Sequence, residues 1–134
     1  MSAPHDLLNA ALAVRANAHA PYSGYGVGAA LRTAEGAVFA GANVENASFP
    51  EGCCAETAAI AAMVAAGGRQ IAELCVLGPD GRATAPCGGC CQRIAEFAGP
   101  ATLVHMRDAT GAWRAVPLGR LLPQAFSIEQ DAGR

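Results

Sequence analysis

The spacing of hydrophobic residues predicts an alternation of helices and strands along the first part of the chain. Apolar side chains recur at helical intervals over residues 6–19, and Pro21 ends this first predicted helix. Two β-compatible runs follow, at residues 25–33 and 37–42, and the turn between them contains the glycine that a hairpin favours. These runs predict an antiparallel pair of strands.

The second part of the chain continues the alternation. A buried helical stripe occupies residues 54–66 and ends at Gly67 and Gly68. A buried strand is predicted at residues 71–78, and a helix begins near Cys87 and covers residues 87–97. Two more strands follow at residues 101–106 and 113–116, and a short last helix at residues 118–122. This order predicts an α/β fold in which helices pack on the faces of one sheet.

Composition and charge narrow the class of protein. The 134 residues are 52% hydrophobic and 15% charged, which predicts one folded domain over residues 1–134. The formal net charge is −2 and the basic residues are dispersed, so a nucleic-acid substrate is disfavoured and a small uncharged ligand fits better. No apolar run approaches the roughly 20 residues that cross a bilayer, and residues 1–6 lack the basic and apolar regions of a secretory signal. We therefore expect a soluble, cytoplasmic protein without a membrane partner.

The six cysteines are expected to be reduced in that compartment, so they are metal ligands or core residues before they are disulfides. A catalytic zinc site takes three protein ligands and leaves one position for water. Cys54 begins one predicted helix, and Cys87 and Cys90 begin another. Because a helix N-terminus stabilises a thiolate, the sequence predicts that these three cysteines bind one zinc ion.

Glu56 lies two residues after Cys54 and is the candidate catalytic residue. A carboxylate beside the metal can take a proton from water and return protons to a leaving nitrogen. The joint occurrence of Cys-Ala-Glu and Pro-Cys-x-x-Cys is typical of hydrolytic deaminases, in which that carboxylate is the general acid and base.

The spacing alone leaves the ligand register open at two places. Cys91 shares a helical face with Cys87 as well as Cys90 does, and Cys53 is the neighbour of Cys54. Motif spacing favours Cys54 and Cys90, with the other two packing near the site.

Other interpretations remain for these residues. Cys87 and Cys90 alone could form a redox pair, or a closed structural zinc site with a fourth ligand. Cys75, within an apolar strand, is predicted to be a core residue.

Beyond these motifs, the chain resembles the homotetrameric type of cytidine deaminase over nearly its whole length. The resemblance rests on the two cysteine segments and on residues 20–23, 27–31, 43–48 and 121–126. It implies a three-layer α/β/α fold with a mixed five-stranded sheet and one zinc ion per subunit. It also implies a homotetramer that hydrolyses cytidine and deoxycytidine to uridine and deoxyuridine with release of ammonia, in pyrimidine salvage.

The resemblance also implies a set of substrate contacts. These are Tyr25, Asn43, Val44, Glu45, Ala55 and Phe126. Asn43 and Glu45 would hold the ribose, the backbone of Ala55 would contact the base, and Phe126 would complete a pocket across a subunit boundary. Without the resemblance, Asn43 and Glu45 could form a solvated turn, and Tyr25 and Phe126 could be core residues.

The chain departs from the family pattern at Thr57 and Cys91, where members with three cysteine ligands often carry arginine. Arg93 is a candidate substitute or a surface residue. The departures motivate an alternative substrate, a modified cytosine nucleoside or a blasticidin-type antibiotic. Two further alternatives are a non-catalytic binding module stabilised by zinc and, with less support, a nucleic-acid editing enzyme.

Overall fold

The computed structural model describes residues 3–128. Its helices and strands follow one another in the predicted order. They are α1 (His5–Arg15), β1 (Gly28–Thr33), β2 (Val38–Ala42), α2 (Ala55–Ala65), β3 (Ile71–Leu77), α3 (Gly88–Phe97), β4 (Leu103–Arg107), β5 (Trp113–Pro117) and α4 (Leu118–Leu121). A short 3₁₀ turn at Phe49–Glu51, which the hydrophobic pattern does not predict, lies between β2 and α2.

The first helix is shorter than predicted. It ends at Arg15, and the predicted continuation to residue 19 is wrong. The reason is that His19 pairs its backbone with a different partner: its N–H donates to the carbonyl of Asn43 at 3.0 Å, and its carbonyl accepts from the N–H of Glu45 at 2.7 Å. A helical continuation would remove these bonds, which anchor the segment after β2.

The five strands form one mixed sheet in the order β2-β1-β3-β4-β5. The β1–β2, β1–β3 and β4–β5 pairs are antiparallel, while β3 and β4 are parallel and joined through α3. The predicted mixed five-stranded sheet is therefore confirmed. Within residues 3–128, no helix combines the length and apolar character that crossing a membrane requires.

Helices cover both faces of the sheet, which produces the predicted three layers. Alternate residues of a strand face opposite sides, so Ala30 and Cys75 pack with α1. Leu31 and Leu74 on the same two strands pack with α2 and α3. Cys75 is fully buried in the α1 layer, as predicted for a core residue.

Strand direction brings the connections that carry the cysteines to one edge of the sheet. β2 and β3 are both antiparallel to β1, so they run in the same direction. The connection after β2 leads into α2, and the connection after β3 leads into α3. Since loops at the carboxyl ends of strands that run in the same direction form the usual binding crevice of such sheets, a site is expected at this edge.

Gly41 allows α2 to lie close against the hairpin. A Cβ atom at Gly41 would lie 2.4 Å from the backbone nitrogen of Ala59 and 2.6 Å from the Cβ of Ala58. Both neighbours belong to the helix that carries Glu56. Helix and strand therefore approach to a distance that only glycine permits.

We expect Gly41→Ala to lower the free energy of unfolding by about 1–3 kcal/mol, because the added methyl group overpacks the β2–α2 contact. Urea unfolding measures the difference. Gly99→Ala is the matched control, since a Cβ atom there meets nothing within 4 Å. Equal stabilities of the two variants would contradict the packing argument.

Candidate zinc site and substrate pocket

Three cysteines meet where α2 and α3 begin. Cys54 is the N-cap of α2, Cys87 is the N-cap of α3, and Cys90 lies in the first turn of α3. Their Sγ atoms all lie within 4.8 Å of one another, and those of Cys54 and Cys87 are 4.0 Å apart. Tetrahedral zinc with bonds of about 2.3 Å to sulfur requires separations of about 3.8 Å, so this donor set fits zinc in chemistry and spacing.

The N-terminus of α3 stabilises the thiolate of Cys87, whereas the thiols of Cys54 and Cys90 are protonated more readily. The backbone N–H of Cys90 donates to Cys87 Sγ at 3.5 Å, and this bond is the main reason that the pKa of the Cys87 thiol is lowered. Burial raises the pKa of the Cys54 and Cys90 thiols. Binding of a metal ion must therefore displace protons from these two groups.

Glu56 lies directly beside the cysteine cluster. Its side chain is only 4% exposed, and its Oε2 atom is 3.4 Å from Cys90 Sγ. Burial raises the pKa of the Glu56 carboxyl, and the positive charge of Arg93 acts in the opposite direction. A raised pKa makes a carboxylate a stronger base, which suits a group that must accept a proton and then return it.

The remaining cysteines near the site lie outside the cluster. Cys53 pairs its backbone with Val44 in an isolated antiparallel bridge. Cys91 is buried in the core beneath α3, with its Sγ atom 3.7 Å from the carbonyl oxygen of Pro86. Within residues 3–128, the three favoured cysteines form the only group of three potential ligands that could hold a metal ion. The structure thus selects the register that spacing alone left open.

A pocket of about 720 Å³ opens over Cys54, Cys87 and Glu56. Five of the predicted substrate contacts line it: Tyr25, Asn43, Val44, Glu45 and Ala55. Phe126 does not line the pocket of its own subunit; it is 73% exposed, and its carbonyl oxygen accepts a hydrogen bond from Gln92 of α3. The structure therefore brings together every predicted site residue except Phe126.

Asn43 and Glu45 organise the segment that forms one side of the pocket. The Asn43 amide accepts from the N–H of Val27 at 2.8 Å and donates to the carbonyl of Tyr25 at 2.8 Å. The Glu45 carboxylate accepts from the N–H and the hydroxyl of Ser23, and these bonds, the hydroxyl foremost, lower its pKa. Glu45 keeps spare hydrogen-bonding capacity, since a carboxylate has about four acceptor positions, and both residues line the pocket.

Several lining residues were missed by sequence reasoning. They are Tyr22, Ser23, Val27, Asn46, Phe49, Gly52, Ala83, Thr84 and Ala85, whereas Cys53 lines the pocket as predicted. Tyr22 and Phe49 form an edge-to-face aromatic pair with centroids 5.7 Å apart, although both are exposed. No hydrophobic period marks these residues, but Tyr22, Ser23, Val27 and Asn46 lie within the segments on which the family resemblance rests.

The positions at which the chain departs from the family pattern differ in surroundings. The Thr57 hydroxyl is buried and has no hydrogen-bond partner within the described part of the chain. Arg93 is exposed and its guanidinium folds back over Gly89: a Cβ atom there would lie 3.0 Å from Arg93 and 3.9 Å from Cys87 Sγ. Arg93 is thus a cation near the thiolates, on the helix that carries two of them.

Comparison with known proteins agrees with this geometry. Residues 1–106 match the family model described as the cytidine and deoxycytidylate deaminase zinc-binding region. The chain is 37% identical over 123 residues to a cytidine deaminase of Halalkalibacterium halodurans, covering 92% of this chain and 93% of that protein. The chain therefore belongs to the cytidine and deoxycytidylate deaminase family.

Solved structures extend the similarity to the fold. A cytidine deaminase from Burkholderia pseudomallei superposes with a TM-score of 0.84 at 44% identity, covering 92% of this chain and 99% of that one. A cytidine deaminase from Mycobacterium tuberculosis gives a TM-score of 0.81 at 36% identity, covering 92% and 96%. The α/β/α fold and the zinc-dependent deaminase class are both confirmed.

Single alanine substitutions should separate ligands from neighbours. We expect Cys54→Ala, Cys87→Ala and Cys90→Ala to purify with most of their zinc lost, because two thiolates hold the ion far less tightly than three. Metal content by mass spectrometry measures this loss. Cys53→Ala and Cys91→Ala are the controls and should keep about one zinc ion per chain. Loss of zinc only in Cys53→Ala or only in Cys91→Ala would show that the substituted cysteine is itself a ligand.

Proposed function

We propose that this protein hydrolyses cytidine and deoxycytidine to uridine and deoxyuridine with release of ammonia, using one zinc ion per subunit. The observation that carries the proposal is the buried Glu56 carboxylate in contact with a zinc ligand, on the floor of a pocket large enough for a nucleoside. The family membership and the names of the relatives support the same reaction.

Glu56 is the catalytic residue of the proposed mechanism. Zinc, when held by Cys54, Cys87 and Cys90, supplies Lewis-acid activation of water. The Glu56 carboxylate accepts a proton from the water that adds to C4 of the base and delivers it to the ring nitrogen N3. It then accepts the proton of the resulting C4 hydroxyl and delivers it to the amino group, which leaves as ammonia. Cytidine and water are thereby converted to uridine and ammonia, and the carboxylate returns to its starting state.

The walls of the pocket suit the two ends of a nucleoside. Asn43 and Glu45 offer a donor and acceptors to the ribose hydroxyls, with Val44 between them. Tyr25 provides an aromatic surface for the base, and the backbone of Ala55 lies at the floor beside Glu56. Because Asn43 and Glu45 are already held by hydrogen bonds, little ordering accompanies binding.

The alternative functions have less support. A closed structural zinc site needs a fourth ligand, but Cys53 and Cys91 do not join the cluster of three within residues 3–128. A modified nucleoside or an antibiotic as the substrate is not favoured, since the relatives compared above carry the name cytidine deaminase. Pyrimidine salvage follows from the proposed reaction, and a cytoplasmic location agrees with six cysteines that are all free.

Glu56→Gln should keep its zinc and lose activity by about 10²–10⁴-fold, because the amide preserves the shape of the side chain but cannot accept the proton. Ammonia release from cytidine measures the rate, and metal analysis measures zinc. Glu35→Gln, an exposed position in the β1–β2 turn, is the control and should retain full activity. An active Glu56→Gln variant would reject the proposed role.

We also propose that the protein works as a homotetramer in which Phe126 enters the pocket of a neighbouring subunit. The exposed Phe126 lies outside its own pocket, while Tyr22, Val44 and Phe49 leave exposed apolar surface at the pocket mouth. Association would bury both surfaces, since apolar area removed from water stabilises a complex. A neighbour would then complete the base-binding end of each site.

Mixing two impaired chains tests this assembly. Phe126→Ala alone should lose at least ten-fold in kcat/KM, and Glu56→Gln alone should be inactive. Co-expression of the two should give more activity than either, because some sites combine an intact Glu56 with an intact Phe126 from different subunits. The control is Glu56→Gln co-expressed with the double variant, which should stay inactive. A monomeric mass by sedimentation, with full activity, would refute the tetramer.

A further inference from the structure

The phenol of Tyr25 contacts a hydroxyl on a second segment of the pocket lining, the one that contains Thr84. Its phenolic oxygen lies 3.0 Å from Thr84 Oγ1 and 3.4 Å from the carbonyl oxygen of Ala83. Thr84 is only 9% exposed, although its neighbours Ala83 and Ala85 are exposed. Because Tyr25 and Thr84 are far apart in sequence, this contact joins two otherwise separate parts of the site.

On one side, the backbone of Tyr25 is held firmly by residues of the sugar-binding region. The Ser23 hydroxyl accepts from the Tyr25 N–H at 2.9 Å, and Asn43 donates to the Tyr25 carbonyl at 2.8 Å. The ring itself lines the pocket, with the Arg82 guanidinium 5.8 Å from its centroid. The backbone of Tyr25 is therefore well held, and its phenol can serve as an anchor for the segment that contains Thr84.

On the other side, Thr84 belongs to the connection that delivers a zinc ligand. Its N–H donates to the carbonyl of Arg107, at the end of β4, at 3.2 Å. Thr84 and Pro86 are buried while the residues between and after them are exposed, so these two side chains anchor the segment that ends at Cys87. The position of Cys87 thus depends on how well Thr84 is held.

A glycine beside this contact leaves room for the two hydroxyls. Gly78 follows β3, and a Cβ atom there would lie 2.0 Å from Thr84 Oγ1 and 3.0 Å from the Tyr25 hydroxyl. Only glycine leaves room for both hydroxyls at this edge of the sheet. The hydrogen bond therefore has a dedicated space between the start of β1 and the end of β3, rather than lying by chance on an open surface.

We propose that Tyr25 and Thr84 form a hydrogen-bonded latch that positions residues 83–87, and with them the zinc ligand Cys87. Both are positioning residues: their hydroxyls act through the loop and not on the reacting atoms. The latch ties the wall of the substrate pocket to the metal site, so its loss loosens the hold on zinc and lowers turnover together. The consequence for turnover rests on the function proposed above.

A double-mutant cycle on zinc release tests the latch without relying on the substrate. Zinc transfer from the loaded protein to a chromophoric chelator is timed for Tyr25→Phe, Thr84→Val and the double variant. Each single change should accelerate release by about three- to ten-fold, the range expected for one hydrogen bond. The double variant should release zinc no faster than the quicker single variant, because both changes remove the same bond.

Two further variants separate the latch from a general loss of stability. Thr84→Ser keeps the hydroxyl and should restore slow release. Thr102→Val removes a threonine hydroxyl that makes no side-chain hydrogen bond within residues 3–128, and it should release zinc at the original rate. If Thr84→Val does not fold, Tyr25→Phe compared with the unsubstituted protein still decides the result.

The latch would be overturned if zinc release in the double variant were accelerated by the product of the two single effects. It would also be overturned if neither single variant released zinc faster than the unsubstituted protein. Turnover of cytidine is measured on the same samples, and kcat should fall with the zinc-release effect while KM changes less. The unsubstituted protein tests the proposed reaction by itself. A protein inactive on cytidine that still shows the coupled zinc release would reject the proposed function and leave the latch standing.

Discussion

The convergence of two helix N-termini at one sheet edge is the constraint on which the site depends. Cys54 and Cys87 cap these helices, and Cys90 follows within one turn. The first-turn amides of a helix lack partners inside the helix, so they attract the negative charge of a thiolate. The same arrangement places Glu56, in the first turn of α2, against the sulfur of Cys90. The cysteine cluster and the position of Glu56 are thus set by one feature of the backbone.

Strand direction explains why this convergence occurs. β2 and β3 run in the same direction, so the chain leaves both at the same edge and enters α2 and α3 side by side. Gly41 lets α2 lie close to the sheet, and Ala59 and Met63 fill the layer behind it. Close packing makes such a layer resistant to deformation, which keeps the sulfur positions fixed. The core therefore contributes to catalysis by limiting movement of the ligands.

The sequence predicts the fold and the centre of the site well because both depend on short-range patterns. Apolar periodicity predicts α2 and β3 to within a residue or two, and the cysteine spacing predicts the cluster around Cys87. Predictions fail where long-range backbone pairing decides, as at His19, whose bonds to the segment after β2 end the first helix early. Thr84 is missed for a related reason, since its side-chain partner Tyr25 is distant in the sequence.

The zinc ligands lie at the starts of two helices, and Cys54 and Cys87 are 33 residues apart in the sequence. An ion held by both acts as a reversible cross-link that closes this loop, and closing a loop restricts the unfolded chain. A ligand that binds only the folded state stabilises it in proportion to the logarithm of its free concentration. Supply of zinc in the cell would thereby set the lifetime of the protein against proteolysis, as well as the number of active sites.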